Sequence, residues 1–73
     1  MSKKDTAWNK AMKFPGKDPK RFRMDRTGRT IYYYAYGRNS PMGWVLDHIV
    51  SKYDGGSNDP CNLQALQTRH KFD

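Results

Sequence analysis

The fold is decided by residues 43–70, which read GWVLDHIVSKYDGGSNDPCNLQALQTRH. Two apolar runs within it, Trp44 to Val50 and Leu63 to Gln67, have the length and residue content of β-strands. Between them, DGG at 54–56 and SNDP at 57–60 are two successive turn signals, which favour a broad loop over a tight hairpin. The sequence therefore predicts two strands that pair with each other across a long loop.

Upstream of this segment the pattern predicts one short helix. Trp8, Ala11 and Met12 have the i, i+3, i+4 spacing of a single helical face. The helix is expected to run from Ala7 to Phe14, where a Pro-Gly pair ends it. Residues 1–7 are polar and are expected to be frayed.

Two further elements complete a predicted α+β fold. Thr30 to Tyr36 is rich in β-branched and aromatic residues and is predicted to be a strand. Thr68 can cap a final helix, which is expected to be very short. The order of elements predicts a ββα unit over residues 43–73 behind a basic N-terminal helix and strand, and a length of 73 residues indicates one domain.

The composition argues against several classes of protein. The single cysteine, Cys61, cannot form an intramolecular disulfide, which is typical of a cytoplasmic chain. No apolar stretch approaches the roughly 18 residues of a membrane-spanning helix, and no signal-peptide-like run follows the first lysines. We expect a cytoplasmic protein with no membrane partner, present as a monomer or a weak dimer.

The net charge of +7 is concentrated in the first half of the chain. Residues 1–38 carry 11 basic and 3 acidic side chains, a net charge of +8, whereas residues 39–73 carry 3 and 4, a net charge of −1. Such asymmetry favours a polyanionic partner such as nucleic acid. The alternative is that the basic half only keeps a small protein in solution.

Asp47 and His48 lie side by side near the end of a predicted strand. A carboxylate suits a hard cation such as Mg²⁺ or Mn²⁺, and an imidazole with an ordinary pKa of about 6.5 can take a proton from water. Because successive strand residues point to opposite faces, both serve one site only if the strand bends or ends there. By itself, the dipeptide is more typical of a surface turn than of an active site.

The ordered string around this dipeptide resembles the HNH endonuclease family. Residues 43–70 contain its DHI strand, GGSNDP loop, NLQAL strand and helical His, and His48 and Asn62 are 14 positions apart, as is usual there. Segments that resemble a bacterial subgroup lie further upstream: WNKA at 8–11, PGKDP at 15–19, FRMDRTG at 22–28 and YGRNSPMGW at 36–44. The resemblance covers almost the whole chain and implies a ββα-metal (His-Me finger) fold around one divalent metal ion.

The resemblance also implies a role for each site residue. His48 is expected to be the general base that deprotonates the water attacking the scissile phosphorus. Asp47 and His70 are expected to hold the metal ion, Mg²⁺ or Mn²⁺ by preference, with Zn²⁺ or Ni²⁺ as substitutes. The amide of Asn62 is expected to tie the loop and to orient the backbone or ring of His48. The implied reaction hydrolyses DNA, by nicking, to a 5′-phosphate and a 3′-hydroxyl without a small-molecule cofactor.

Five arginines are candidate phosphate contacts, which add affinity and fix register without reading sequence. They are Arg23, Arg26, Arg29 and Arg38 on either side of the predicted strand from Thr30 to Tyr36, and Arg69 beside His70. The aromatic cluster Tyr32–Tyr34 is assigned to the core, because base stacking is the less common role of a strand-borne cluster in so small a protein.

Two features depart from the family pattern. The helical ligand usually lies nine positions after the Asn, and here that position is Lys71, while His70 is at eight, about 100° away around a helix. The final helix is also shorter than in relatives. Two interpretations stay open beside a metal-dependent endonuclease: a non-catalytic DNA-binding module of HNH fold with a degraded metal site, and a compact toxin domain from a larger exported protein.

Overall fold

A computed structural model describes residues 2–71 of the chain. Its regular elements are α1 (Lys3–Lys10), β1 (Met12–Lys13), β2 (Phe22–Met24), β3 (Thr30–Tyr32), β4 (Trp44–His48), β5 (Leu63–Gln67) and α2 (Thr68–Lys71). Short 3₁₀ turns occupy Tyr33–Ala35, Lys52–Asp54 and Pro60–Asn62. Within residues 2–71, neither helix has the length and apolarity needed to cross a membrane.

The strands form two antiparallel sheets. One has the order β1-β2-β3, and the other pairs β4 with β5 so that Asp47 lies opposite Gln64 and His48 opposite Leu63. The predicted strand pair and the α+β class are confirmed, and β5 has the predicted bounds. The predicted end of β4 at Val50 is wrong by two residues, because the strand stops at His48 and the loop begins there.

The first helix lies further upstream than the sequence pattern indicates. It runs over Lys3–Lys10 because the Ser2 hydroxyl accepts a hydrogen bond from the Asp5 amide and caps it, so the prediction of a helix over residues 7–14 is wrong. The fraying expected for residues 1–7 stays a prediction, and Met1 lies outside the described residues. At its other end Ala11 has extended backbone, with ψ at 150°. The predicted helix therefore lies one turn too late in the chain.

The core is small and aromatic. Its buried members are Ala7, Trp8, Ile31, Trp44 and Ala65. The two indole rings lie 5.2 Å apart between centroids, and their N–H groups donate to the carbonyls of Pro19 and Tyr33. Large rings with satisfied polar atoms let a short chain bury much apolar surface at few positions.

Tyr33 explains why the third strand is shorter than predicted. Its ring packs edge-on against Trp8 at 5.3 Å, and its hydroxyl donates to Asp5 at 2.6 Å. This hydrogen bond is the largest influence that lowers the pKa of Asp5. Since the Tyr33 carbonyl is used by the Trp44 indole, the backbone leaves the sheet after Tyr32 as a 3₁₀ turn, and the predicted strand over residues 30–36 is wrong beyond that point.

A buried carboxylate joins the two sheets. The fully buried Asp25 accepts hydrogen bonds from the amides of Thr27, Arg29 and Gln67, each at 3.0 Å, and from the Thr27 hydroxyl at 2.6 Å. Burial is the largest single influence and raises the pKa of Asp25, but the hydrogen bonds together outweigh it and hold that pKa below its ordinary value of 3.8. The turn over residues 25–29 is thereby fixed beside the end of β5, where α2 begins.

Candidate active site

His48 ends β4 and is oriented by the loop that follows. Its Nε2 lies 2.9 Å from the amide oxygen of Asn58. An amide oxygen only accepts hydrogen bonds, so Nε2 carries the proton and the basic lone pair of the ring is on Nδ1. The side chain is half-buried, which keeps the ring in a defined position at the protein surface. This arrangement suits a general base.

Asn62 ties together the loop that carries Asn58. Its buried amide accepts from the Val50 amide at 2.7 Å and donates to the carbonyls of Val50 at 3.0 Å and Ser57 at 2.7 Å. Its backbone carbonyl accepts from the Ile49 amide at 2.9 Å. These contacts fix the loop just beyond His48, whereas the sequence pointed to the backbone or ring of His48 itself.

Two glycines give the loop its shape for different reasons. Gly55 has φ of 87°, the left-handed conformation that glycine adopts without strain, and ends the 3₁₀ turn at Lys52–Asp54. Gly56 instead lies so close to the Val50 carbonyl that a Cβ would overlap its oxygen. Together they fold the loop back onto the end of β4.

Asp47 points to different partners from those of His48. One carboxylate oxygen accepts from Gln64 at 2.7 Å, and the other lies 3.1 Å from the ammonium of Lys71. Lys71 is at the ninth position after Asn62, and its ammonium also lies 3.4 Å from the Leu46 carbonyl. The carboxylate therefore has a cationic partner supplied by α2.

His70 also faces a cation. Its Nδ1 lies 2.8 Å from a terminal nitrogen of the Arg29 guanidinium. Because a guanidinium only donates, Nδ1 is the acceptor and the ring proton is on Nε2. The lone pair that could ligate a metal ion is thus engaged by Arg29.

The donor types at this site fit a divalent cation, although their present partners differ from a coordination shell. Asp47 supplies the carboxylate oxygens that Mg²⁺ and Mn²⁺ prefer, and His70 an imidazole. Among residues 2–71, however, no three His, Cys, Asp or Glu side chains are grouped to hold a metal ion. A metal ion at Asp47 would compete with the Lys71 ion pair, and one at Nδ1 of His70 would compete with the Arg29 hydrogen bond.

The five candidate arginines differ in their surroundings. Arg23 donates to the carbonyls of Pro19, Asn9 and Ala11 at 2.9–3.2 Å, so its guanidinium holds the N-terminal segment together. These bonds use three of the five N–H donors of the guanidinium, and the assignment of Arg23 as a phosphate contact stays a prediction.

The remaining four candidate arginines have exposed side chains. Arg29 contacts His70 and the Thr27 hydroxyl, and Arg69 contacts the amide oxygen of Asn39 at 3.4 Å. Arg26 lines an apolar cavity of about 240 Å³ beside Gln64. All four of these arginines stay candidates for phosphate contact.

Three residues of this region were not assigned a role from the sequence. Lys71 was noticed only as a departure in spacing, and nothing in the sequence indicated that it would pair with Asp47. Asn58 lies in a turn-forming run, which predicts a loop but not a bond to His48. Asp25 belongs to the quoted FRMDRTG segment, and its buried position was the missing information.

Comparison of the chain with protein-family models, curated proteins and solved structures finds no match to any of them. What the site does therefore rests on its own geometry and chemistry.

Proposed function

We propose that the protein is an endonuclease that hydrolyses DNA phosphodiester bonds with the help of one divalent metal ion, Mg²⁺ or Mn²⁺. The observation that carries the proposal is the hydrogen bond from His48 Nε2 to Asn58, which leaves Nδ1 as the basic nitrogen beside the Asp47 carboxylate in sequence. Water activation requires a positioned base such as this imidazole, and phosphate polarisation requires a metal ion that a carboxylate such as that of Asp47 can hold.

In this mechanism His48 accepts a proton from the attacking water. The water oxygen forms a bond to phosphorus, the bond from phosphorus to the 3′ oxygen breaks, and the water proton goes to Nδ1 of His48. The departing 3′ oxygen takes a proton from solvent, so the products carry a 5′-phosphate and a 3′-hydroxyl. Asn58 acts as a positioning residue, since it holds the ring by Nε2.

Asp47 and His70 are the residues that would hold the metal ion. When bound, the ion supplies positive charge that stabilises the phosphorane-like transition state. Lys71 and Arg29 now pair with these two residues, and a bound metal ion would compete with both cations.

The basic residues around α2 support binding of a polyanion. Asp25 fixes the turn that bears Arg26 and Arg29 beside the start of α2, which bears Arg69 and Lys71. Contacts between basic side chains and phosphates weaken steeply with salt, so the affinity for DNA is expected to fall as the ionic strength rises.

The proposal is tested by incubating supercoiled plasmid with the protein and Mg²⁺ or Mn²⁺. Conversion to nicked circles by the wild type, and its loss in His48→Ala and in excess chelator, supports the proposal. Asn9→Ala, a change at an exposed position of α1, serves as the control and is expected to nick at the wild-type rate. Intact plasmid with the wild type in both metals would contradict it.

A second candidate is a non-catalytic DNA-binding module of the same fold. The Lys71–Asp47 ion pair at 3.1 Å and the Arg29–His70 contact favour it, because both would-be ligands already have cationic partners. Retardation of DNA on a gel by both wild type and His48→Ala, with no nicking by either, is the result that this candidate predicts.

A further inference from the structure

The three-stranded sheet has an aromatic outer face. Ile31 on β3 is fully buried, so the side chains that alternate with it point away from the core. Phe22 and Tyr32 are direct cross-strand partners on that outer side, and their ring centroids lie 5.0 Å apart. Tyr34 extends the row, with its ring 5.6 Å from that of Tyr32. We call the rings of Phe22, Tyr32 and Tyr34 the aromatic face.

The aromatic face is open to solvent. Tyr34 is 66% exposed, and Phe22 and Tyr32 are only half-buried. The sequence assigns Tyr32–Tyr34 to the core, and this is wrong for Tyr34 because of its exposure, whereas Tyr33 packs on Trp8. An exposed row of rings in so small a protein marks a surface that can bind a partner.

Cations border the aromatic face. The Lys17 ammonium lies 5.5 Å from the centre of the Phe22 ring. Lys20 and Arg21 are exposed in the turn before β2, and the Arg21 carbonyl accepts from the Tyr33 amide, which keeps this turn at the aromatic edge. The one acidic side chain of that turn, Asp18, is 3.9 Å from Arg21 and offsets only part of the charge.

We propose that the aromatic face binds a single strand of DNA, with bases stacked on Tyr34 and Tyr32 and phosphates near Lys17, Lys20 and Arg21. Unpaired bases offer flat apolar surfaces to aromatic rings, and the phosphates between them match the bordering cations. Duplex DNA offers no free base faces, so the aromatic face discriminates between the two forms. This inference goes beyond the proposed hydrolysis and does not depend on His48.

The test measures binding by fluorescence anisotropy, in chelator so that no cleavage occurs. The probes are a labelled oligothymidylate of about 15 nucleotides, an oligouridylate of the same length and a hairpin duplex. Tyr34→Ala removes the most exposed ring of the aromatic face, and Tyr34→Phe restores it without the hydroxyl. Tyr53→Ala is the matched control, since Tyr53 is 98% exposed on the loop between β4 and β5.

Tyr34→Ala is expected to bind the oligothymidylate about tenfold more weakly than wild type, with unchanged affinity for the duplex. Tyr34→Phe and Tyr53→Ala are expected to bind as wild type does. Unchanged oligothymidylate binding by Tyr34→Ala, or an equal loss for the duplex, would overturn the proposal. Tighter binding of the oligouridylate would overturn the assignment to DNA. Since the readout is binding without metal, absence of nicking in the plasmid assay leaves this result unaffected.

Discussion

Replacing Lys71 by methionine removes the ammonium that pairs with Asp47 and keeps a side chain of similar length. In the wild type, the ammonium nitrogen lies 3.1 Å from a carboxylate oxygen of Asp47. A metal ion that binds this carboxylate competes with the ammonium for the same negative charge. Lys71→Met is therefore expected to raise the affinity of the site for Mn²⁺.

The size of the effect follows from the geometry of the ion pair. Two unit charges 3.1 Å apart attract by about 1 kcal/mol in water and by about 5 kcal/mol at an effective dielectric constant of 20. The Lys71 and Asp47 side chains keep 31% and 18% of their surface accessible, so solvent screening favours the lower value. A free energy of about 1 kcal/mol is about a fivefold change in a dissociation constant.

The assay follows the melting temperature of each protein as Mn²⁺ is added, since a ligand that binds only the folded state raises it. Lys71→Met is expected to reach half of the full rise at about one fifth of the wild-type Mn²⁺ concentration. Lys52→Met removes an exposed lysine from the loop between β4 and β5 and is expected to match the wild type. Equal midpoints for Lys71→Met and wild type would refute the competition, and no rise in any of the proteins would refute metal binding.

Three further sites give predictions for stability and rate. Asp25→Ala removes the buried acceptor of four part-buried hydrogen bonds and is expected to lower the free energy of unfolding in urea by about 3 kcal/mol; a loss below about 1 kcal/mol would contradict this. Because the pKa of Asp25 is lowered in the folded state, its ionised carboxylate stabilises the fold above the ordinary pKa of 3.8, and this stabilisation is lost as the pH falls through the lowered pKa. The free energy of unfolding of Asp25→Asn is therefore expected to vary less with pH in this range than that of the wild type. Gly56→Ala is expected to lower the melting temperature more than Gly55→Ala does. The new Cβ at position 56 would overlap a backbone carbonyl, whereas alanine at position 55 only strains φ, at a cost of about 1 kcal/mol. Equal melting temperatures for the two variants would argue against the close approach at Gly56. Asn58→Ala releases the His48 ring and is expected to slow nicking about tenfold with an unchanged circular dichroism spectrum, and an unaltered rate would remove Asn58 from the mechanism.

The parts of the fold that the sequence predicts are those set by local pattern. The paired strands β4 and β5 follow from two apolar runs separated by turn residues, and the structure has them in antiparallel register. The helix is misplaced because its start depends on the Ser2 cap, which is a weaker signal than the apolar spacing of Trp8 and its neighbours. The predicted third strand is too long because Tyr33 donates a hydrogen bond to Asp5, a residue 28 positions away that no local pattern includes.

The candidate site also has one part that residue spacing predicts and another part that depends on long-range contacts. Asp47, His48 and Asn62 lie on one strand pair and its loop, so their spacing brings them to one region of the fold. The cations on Asp47 and His70 come from α2 and from the turn over residues 25–29, which Asp25 fixes through a hydrogen bond to a residue 42 positions away. Such long-range contacts decide what the carboxylate and imidazole face, and residue spacing alone does not encode them.

The rate constant for nicking of supercoiled plasmid shows whether His48 acts as the general base of DNA hydrolysis. With Mg²⁺ or Mn²⁺ present, His48→Ala is predicted to nick at least about 100-fold more slowly than wild type, while it retards DNA on a gel to the same extent. The nicks made by the wild type are predicted to be resealed by DNA ligase, which requires a 5′-phosphate and a 3′-hydroxyl. Equal nicking rate constants for wild type and His48→Ala would show that His48 is not the general base.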